Sequence, residues 1–330
     1  MAHQVGEKLL FIDTNIWLDF YRARNDAGLA LLEKAEGITD RIIVTYQLES
    51  EFKKNRQAAI FEGLQELKAP AQIPRLGLFS DAMATRKMSE SIKEAERRVK
   101  DLRTRLIRAV EKPSIHDPVY QACQRVFHKD DDLVLTRENK LRHLIRRKAF
   151  RRFIHGCPPR KKADTSLGDA FNWEWIVYCA KERNADVVIV SRDADYGLTI
   201  DNKAFINDHL KHEFKERVNA RKKLLLHNRL SDALKLFEIP ISKKVQEAET
   251  EIVKVSHEER LRRAIAGDSL INVVRSLTTI EDQSALSVLR QKLEKASSWP
   301  SYMEQIQNRP SNIELFAKMI RDTRDETASE

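Results

Sequence analysis

The most constraining feature of this sequence is a set of short apolar runs that each lead into an acidic residue. The run Leu9–Ile12 stops at Asp13, and the β-branched run Val187–Val190 is followed three residues later by Asp193. Apolar runs of this length, bounded by polar residues, are typical of strands buried on both faces of a parallel sheet. Open α/β sheets build their sites at the carboxyl ends of such strands. The pattern therefore predicts an α/β fold with acids gathered at one edge.

Further acids fit the same pattern. The run Ile42–Thr45 passes into a helical segment that places Glu49 and Glu51 just beyond the turn. Asp169 falls in the first turn of a predicted helix that begins near Gly168, where a carboxylate is also favoured as a helix cap. Taken singly, each of these acids is better explained by capping or solvation than by chemistry.

Considered together, the strand-end and helix-start acids indicate a bound cation. In a parallel sheet these positions converge on one cleft, where two carboxylates about 4 Å apart repel by about 4 kcal/mol at an effective dielectric constant of about 20. A hard divalent cation with oxygen ligands relieves that repulsion. We therefore predict Mg²⁺ or Mn²⁺ as the cofactor.

The ordered motifs resemble those of the PIN-domain nucleases, and most closely a bacterial PIN-like branch. The matching stretches are residues 12–15, 44–56, 168–169 and 190–193, with a Pro158-Pro159 turn before the third motif. The resemblance implies a Rossmann-like parallel sheet flanked by helices, and it implies hydrolysis of nucleic acid with a divalent metal. The metal ligands and catalytic acids that it implies are Asp13, Glu51, Asp169 and Asp193, with Glu49 competing for the role of Glu51.

Side chains beside these acids have predicted supporting roles. Thr14, Asn15 and Ser191 are placed to hydrogen-bond the carboxylates or a substrate phosphate, or else to cap the turns after the strands. Asp164, which precedes the third motif, joins this supporting group through the resemblance. With a metal bound, the site would activate a water molecule for in-line attack, and Glu51 would complete a second metal position or orient that water. The products would carry 5′-phosphate and 3′-hydroxyl ends.

The formal net charge of +9 is unevenly spread along the chain. Residues 137–162 contain 11 Lys and Arg against a single acid, Glu138. A solvated helix face is the ordinary explanation of such a run, but this one leads directly toward Asp169, and a phosphate backbone is its natural counterpart. The residues predicted to bind nucleic acid are Arg56, Arg146, Arg147, Arg151, Arg152, Lys161 and Lys162.

Composition excludes several classes of protein. The three cysteines, Cys123, Cys157 and Cys179, are widely spaced, which argues against a disulfide framework and against structural zinc. No apolar stretch approaches the roughly 20 residues of a membrane span, and the first residues do not resemble a secretory leader. We expect a soluble, cytoplasmic protein with no membrane partner.

A long helical region separates the second and third motifs. Its apolar residues alternate four and three apart from Met88 to Ala109, the spacing of a coiled-coil seam. The partner of this arm would be the same chain or a second copy. Further along, we predict a polar helix over 203–222 and a last strand over 223–227.

These patterns divide the chain into three parts. The nuclease core comprises 1–60 and 155–245, the helical insertion with its basic segment comprises 61–154, and a helical module for docking or dimerisation comprises 246–330. We predict a metal-dependent nuclease that prefers RNA to DNA and acts as an endoribonuclease. The alternatives are a structure-selective, flap-type DNA nuclease and a catalytically silent nucleic-acid-binding scaffold.

Overall fold

The computed structural model describes residues 7–23, 27–67, 83–159, 166–200 and 203–253. All of them belong to the first of two compact units, Met1–His257, and the second unit, Glu258–Glu330, lies outside the described residues. Of the predicted C-terminal module, only residues 246–253 are described, as part of a helix over 243–253.

A parallel sheet of five strands forms the centre of the described unit. The strands are β1 (Lys8–Ile12), β2 (Ile42–Thr45), β3 (Val134–Leu135), β4 (Asp186–Val190) and β7 (Leu224–His227). They lie in the spatial order β3-β2-β1-β4-β7, and all neighbouring strands are parallel. Almost every residue of β1, β2 and β4 is buried, as the apolar runs predicted for strands covered on both faces. Helices flank the sheet, so the predicted PIN-like α/β fold is confirmed.

The register of the sheet aligns the strand ends that matter for a site. Ile12 lies opposite Val190, and Val190 lies opposite His227. Thr45, the last residue of β2, lies opposite Leu135. The carboxyl ends of these strands therefore share one edge of the sheet.

Ten α-helices accompany the strands within the described ranges. They are α1 (Thr14–Asp19), α2 (Ala27–Glu36), α3 (Tyr46–Glu66), α4 (Met83–Glu111), α5 (Pro113–His116), α6 (Pro118–Phe127), α7 (Leu141–Ile154), α8 (Gly168–Arg183), α9 (Asp208–Arg217) and α10 (Leu230–Lys235), besides the segment over 243–253. None of the helices in the described part of the chain is both long and apolar enough to cross a membrane.

The range predicted as a helical insertion, 61–154, contributes to the core as well as to an arm. Strand β3 extends the sheet beside β2, α6 buries its apolar face, and α7 packs on α8. The arm is α4, a helix of 29 residues whose apolar stripe is 45% exposed at Met88 and 47% at Leu102, while Ala109 near its end is buried. A coiled-coil partner for α4 stays a prediction.

An antiparallel hairpin follows β4, formed by β5 (Gly197–Ile200) and β6 (Lys203–Ile206). The predicted helix over 203–222 is therefore wrong at its start, because α9 begins only at Asp208, where the side chain of Asn207 caps it. A Cβ on Gly197 would lie 1.9 Å from the carbonyl oxygen of Phe205, so only glycine permits this close approach of the two strands. The predicted last strand is confirmed as β7.

Candidate metal-binding and catalytic site

The four acids identified from the sequence lie around one cavity. Asp13 follows β1 directly, Asp193 follows β4, Glu51 lies in the second turn of α3, and Asp169 lies in the first turn of α8. All four line a cavity of about 430 Å³. Residues separated by up to 180 positions in the chain are thus brought together because parallel strand ends and helix starts share this edge of the sheet.

Asp13 is the most deeply placed of the four, with 3% of its surface exposed. Its Oδ1 accepts a hydrogen bond from the Thr14 backbone N–H at 2.7 Å. Its Oδ2 accepts from Asn15 Nδ2 at 2.7 Å and from Ser191 Oγ at 2.5 Å. The same Ser191 Oγ accepts the backbone N–H of Asp193 at 3.1 Å. These neighbours hold the Asp13 carboxylate in one orientation and couple it to the end of β4.

Glu51 is held by two donors. Thr14 Oγ1 donates to its Oε2 at 3.1 Å, and Gln47 Nε2 donates to its Oε1 at 3.0 Å. Glu49, the competing residue, instead forms an ion pair with Lys53 at 2.5 Å and a hydrogen bond with His128 at 2.9 Å. Of the two glutamates, it is Glu51 that lines the cavity.

The start of α8 packs closely against Glu51 of α3, which accounts for the glycine, Gly168, before Asp169. A Cβ at this position would lie 2.1 Å from Glu51 Oε1 and 3.3 Å from Gln47 Nε2. A residue with a side chain at this position would displace the carboxylate of Glu51 from its observed position. The sequence showed the glycine but not this contact.

The cavity concentrates negative charge. The pKa of Asp13 is raised to about 7, first by burial and then by the nearby carboxylate of Asp193, with a smaller contribution from Glu51. The hydrogen bonds from Ser191 and Thr14 act in the opposite direction. Burial and repulsion among the carboxylates together therefore outweigh the hydrogen bonds that stabilise the ionised form of Asp13.

A buried hydroxyl lies close to the same carboxylates. Tyr196 is fully buried, and among the described residues its phenolic oxygen has no hydrogen-bond partner. Burial raises the pKa of Tyr196, and the carboxylates of Asp169, Asp13, Glu51 and Asp193 raise it further. A buried donor is ordinarily paired. Among the described residues, the Tyr196 hydroxyl is therefore a buried polar group left unsatisfied near the four acids.

The donor chemistry of the cavity fits a hard divalent cation, because carboxylate oxygens are the ligands that Mg²⁺ and Mn²⁺ prefer. In the observed side-chain positions, no three acids, histidines or cysteines of the described ranges lie close enough together to hold an ion by themselves. Mg²⁺ does not require such a cluster, since it keeps several water ligands and uses one or two carboxylates.

Two basic residues lie at or next to the cavity. Lys54 lines the cavity but forms no ion pair with a residue of the described ranges. Arg192, between Ser191 and Asp193, instead pairs with Asp19 and donates to the carbonyl oxygen of Asn228 at 3.1 Å.

Several lining residues were missed in the sequence. Gln47, Ser50 and Lys54 line the cavity beside Glu51, at the i, i+3, i+4 and i+7 positions of one face of α3. Applying that periodicity outward from Glu51 would have identified them. Arg137 stands near the same face, because its guanidinium donates to Ser50 Oγ at 3.1 Å. Asn55 and Ser166 also line the cavity.

Arg56 requires a correction, because it is not a surface residue available to nucleic acid. It is 4% exposed, its guanidinium lies 2.6 Å from the carboxylate of Asp117, and it donates to the carbonyl oxygen of Ala109 at 2.5 Å. The rings of Tyr21 and Tyr120 lie within 6 Å of the guanidinium carbon. Arg56 therefore joins α3 to the end of α4 and the start of α6.

Arg152 requires the same correction. It is 7% exposed and donates to Glu174 Oε1 at 3.1 Å, pairs with Glu213, and lies over the ring of Trp173. This arginine faces inward from α7 and stabilises the packing against α8 and α9.

The remaining predicted nucleic-acid residues divide into two groups. Arg146, Arg147 and Arg151 are exposed on α7, where they remain candidates for contact with phosphate. Lys161 and Lys162 lie outside the described residues, as does Asp164.

Comparison with known proteins adds one finding to this geometry. A family model described as a PIN domain matches residues 10–196, more than half of the 330-residue chain, and the matched stretch contains all four cavity acids. No curated protein and no solved structure matches the chain.

Proposed function

This chain belongs to the PIN domain family, which indicates a nuclease, and from that premise we propose that it is a metal-dependent endoribonuclease. The observation that carries the proposal is the single cavity lined by Asp13, Glu51, Asp169 and Asp193. Hydrolysis of a phosphodiester bond needs positive charge at the phosphate and a positioned water molecule.

The residues have separate roles in this proposal. Asp13, Asp169 and Asp193 would hold Mg²⁺ or Mn²⁺ together with water ligands, and the bound ion would polarise the scissile phosphate. Glu51, fixed by Thr14 and Gln47, would complete a second metal position or orient the attacking water through its carboxylate oxygens. In-line attack of that water leaves 5′-phosphate and 3′-hydroxyl ends.

The preference for RNA follows from the family resemblance, and exposed cations on α7 support a nucleic-acid substrate of either kind. A flap-type DNA nuclease is the rival within catalysis, and the long arm α4 favours it. The third possibility is a silent scaffold, against which the presence of all four acids argues. We place the activity in the cytoplasm.

A substrate panel with and without metal tests the proposal. The full chain is incubated with single-stranded RNA, single-stranded DNA and a DNA flap, each with Mn²⁺ or with EDTA. We expect RNA to be cut internally in Mn²⁺ and left intact in EDTA, with product 5′ ends that a phosphatase can dephosphorylate. Cutting of DNA alone would refute the ribonuclease assignment, and equal cutting in EDTA would refute metal dependence.

The close contact at Gly168 gives a second test. In Gly168→Ala the new methyl group displaces the flexible carboxylate of Glu51 rather than backbone, so stability should change by no more than about 1 kcal/mol. Cleavage should fall on the order of tenfold or more, because a displaced catalytic group loses its alignment. Thermal unfolding and single-turnover cleavage of RNA measure the two effects.

Gly63→Ala is the matched control for this variant. A Cβ at Gly63 meets nothing within 4 Å, so the substitution should leave cleavage unchanged. If Gly168→Ala cuts RNA as fast as wild type, the observed position of Glu51 has no part in the reaction.

A further inference from the structure

A second and larger groove lies along the outer edge of the sheet. We call it the β7 groove, since β7 borders it. It has a volume of about 950 Å³ and is lined by β7, by the β5–β6 hairpin and by α9. Within the described ranges, β7 is an edge strand of the sheet.

The β7 groove is positively charged. Lys211 and Lys215 line it from one face of α9, a single helical turn apart, and Lys222 and Lys223 line it where the chain enters β7. None of these four lysines forms an ion pair with a residue of the described ranges. Asp208 is the single acid among the described residues that line the groove. Unpaired lysines in a concave surface attract a polyanion.

The groove also exposes large apolar side chains. Phe205 is 53% exposed and Leu198 is 63% exposed, and both line the groove from the hairpin. A free phosphate or sulfate ion gains nothing from such surfaces. A single strand of nucleic acid does, because its bases stack on exposed aromatic rings while its phosphates contact lysines.

The β7 groove and the acid cavity are lined by neighbouring residues of the chain after β4. Ala194 lines the groove, and its neighbour in the chain, Asp193, lines the cavity. His227, which lies opposite Val190 in the sheet register, lines the groove at the same sheet edge as the acids. The two concave surfaces thus reach neighbouring residues after β4, so a strand whose scissile phosphate lies at the acids would extend toward the groove.

We propose that the β7 groove binds the single-stranded segment of nucleic acid that flanks the bond cleaved at the acid cavity. The lysines contact its phosphates, and Phe205 stacks against a base. This inference rests on the proposed nuclease function for its substrate, but binding in the groove requires neither a metal ion nor cleavage.

The test measures binding without cutting. A fluorescein-labelled oligouridylate and the matching oligothymidylate are titrated with the full chain in EDTA, and probe length is checked on a gel after each titration. In Lys211→Gln/Lys215→Gln, two phosphate contacts are lost. Each single-strand contact contributes about 0.7 to the salt slope, so Kd should rise about 25-fold at about 0.1 M salt, and the slope of log Kd against log salt should fall by about 1.4.

Lys243→Gln/Lys244→Gln is the matched control, because it removes the same charge at two exposed lysines that do not line the groove. We expect its Kd and salt slope to equal those of wild type. Phe205→Ala should weaken binding on the order of tenfold while leaving the salt slope unchanged, since it removes stacking and no charge.

Three results would overturn the proposal. If the groove variant binds the oligonucleotide as tightly as wild type, the strand runs elsewhere. If the control variant loses as much affinity as the groove variant, the effect is one of diffuse charge. A third result is that the groove variant binds the oligonucleotides like wild type but no longer binds an acidic peptide that wild type binds. The edge of β7 would then be a protein-docking strand. Each of these is distinguishable from failure of the nuclease proposal, which is read from metal-dependent cleavage.

Discussion

Asp13→Asn is expected to lower metal-dependent cleavage of RNA on the order of a thousandfold. The substitution keeps the size of the side chain and removes the one carboxylate that three neighbouring donors orient. Loss of several kcal/mol of charge stabilisation at the phosphate corresponds to about three powers of ten in rate. Single-turnover cleavage in Mn²⁺ measures the effect.

The same variant should fold at least as stably as wild type when no divalent ion is present. The pKa of Asp13 is about 7 in the folded protein and 3.8 ordinarily, so the folded state binds the proton more tightly than the unfolded state. The ionised carboxylate therefore destabilises the metal-free fold above pH 7, and this penalty is relieved as the pH falls through 7 toward 3.8. In EDTA, the melting temperature of Asp13→Asn should exceed that of wild type most at pH 8 and least near pH 5.

Asp40→Asn provides the control for this pair of measurements. The side chain of Asp40 is 73% exposed and lies outside the cavity, so its loss should alter neither cleavage nor the pH dependence of melting. If Asp13→Asn keeps wild-type cleavage, or melts well below wild type at pH 8 in EDTA, then Asp13 is not the strained carboxylate of a metal site.

The parts of the fold that could be predicted are those encoded locally. The runs before Asp13 and Asp193 are apolar over the length of one strand, and such runs are covered on both faces wherever they occur in a parallel sheet. Convergence of the four acids followed from topology, because parallel strand ends share an edge. The choice of Glu51 over Glu49 as the predicted second ligand followed from motif order, and the structure adds that Glu51 lines the cavity whereas Glu49 turns toward Lys53 and His128.

What could not be predicted depends on contacts between distant residues. The count of basic residues in 137–162 does not reveal that Arg152 faces inward, since that depends on Glu174 and Glu213 in other helices. The start of α9 was misplaced because hairpin formation depends on how closely the backbones at Gly197 and Phe205 approach. The two-residue strand β3 is too short to carry any periodicity, so its range was predicted as helical insertion.

Of the substitutions proposed for this chain, one that breaks the buried ion pair of Arg56 and Asp117 should lower the free energy of unfolding the most. Asp117→Asn keeps an oxygen that can cap α6 at the Tyr120 N–H, but it leaves the guanidinium of Arg56 buried without its counter-charge. We expect the free energy of unfolding to fall by about 3–5 kcal/mol. Urea unfolding followed by the fluorescence of the buried tryptophans Trp17, Trp173 and Trp175 measures the loss.

The control is an ion pair of similar length on the surface. Glu94 and Arg98 lie 3.0 Å apart on α4 with 45% and 74% of their side chains exposed, so Glu94→Gln should change stability by at most about 1 kcal/mol. Arg56→Met together with Asp117→Asn removes both charges and should be less destabilised than the sum of the two single variants, because neither charge is left unpaired.

The stability and the nucleic-acid affinity of Arg56→Met together decide the role of Arg56. If Arg56 is a structural residue, Arg56→Met lowers stability and leaves the affinity of the folded protein for oligouridylate unchanged at a temperature well below its melting point. Weakened binding with little loss of stability would instead restore the prediction that Arg56 contacts nucleic acid. The first outcome is expected, because a guanidinium that is 4% exposed and already hydrogen-bonded to Asp117 and Ala109 reaches a phosphate only by leaving both partners.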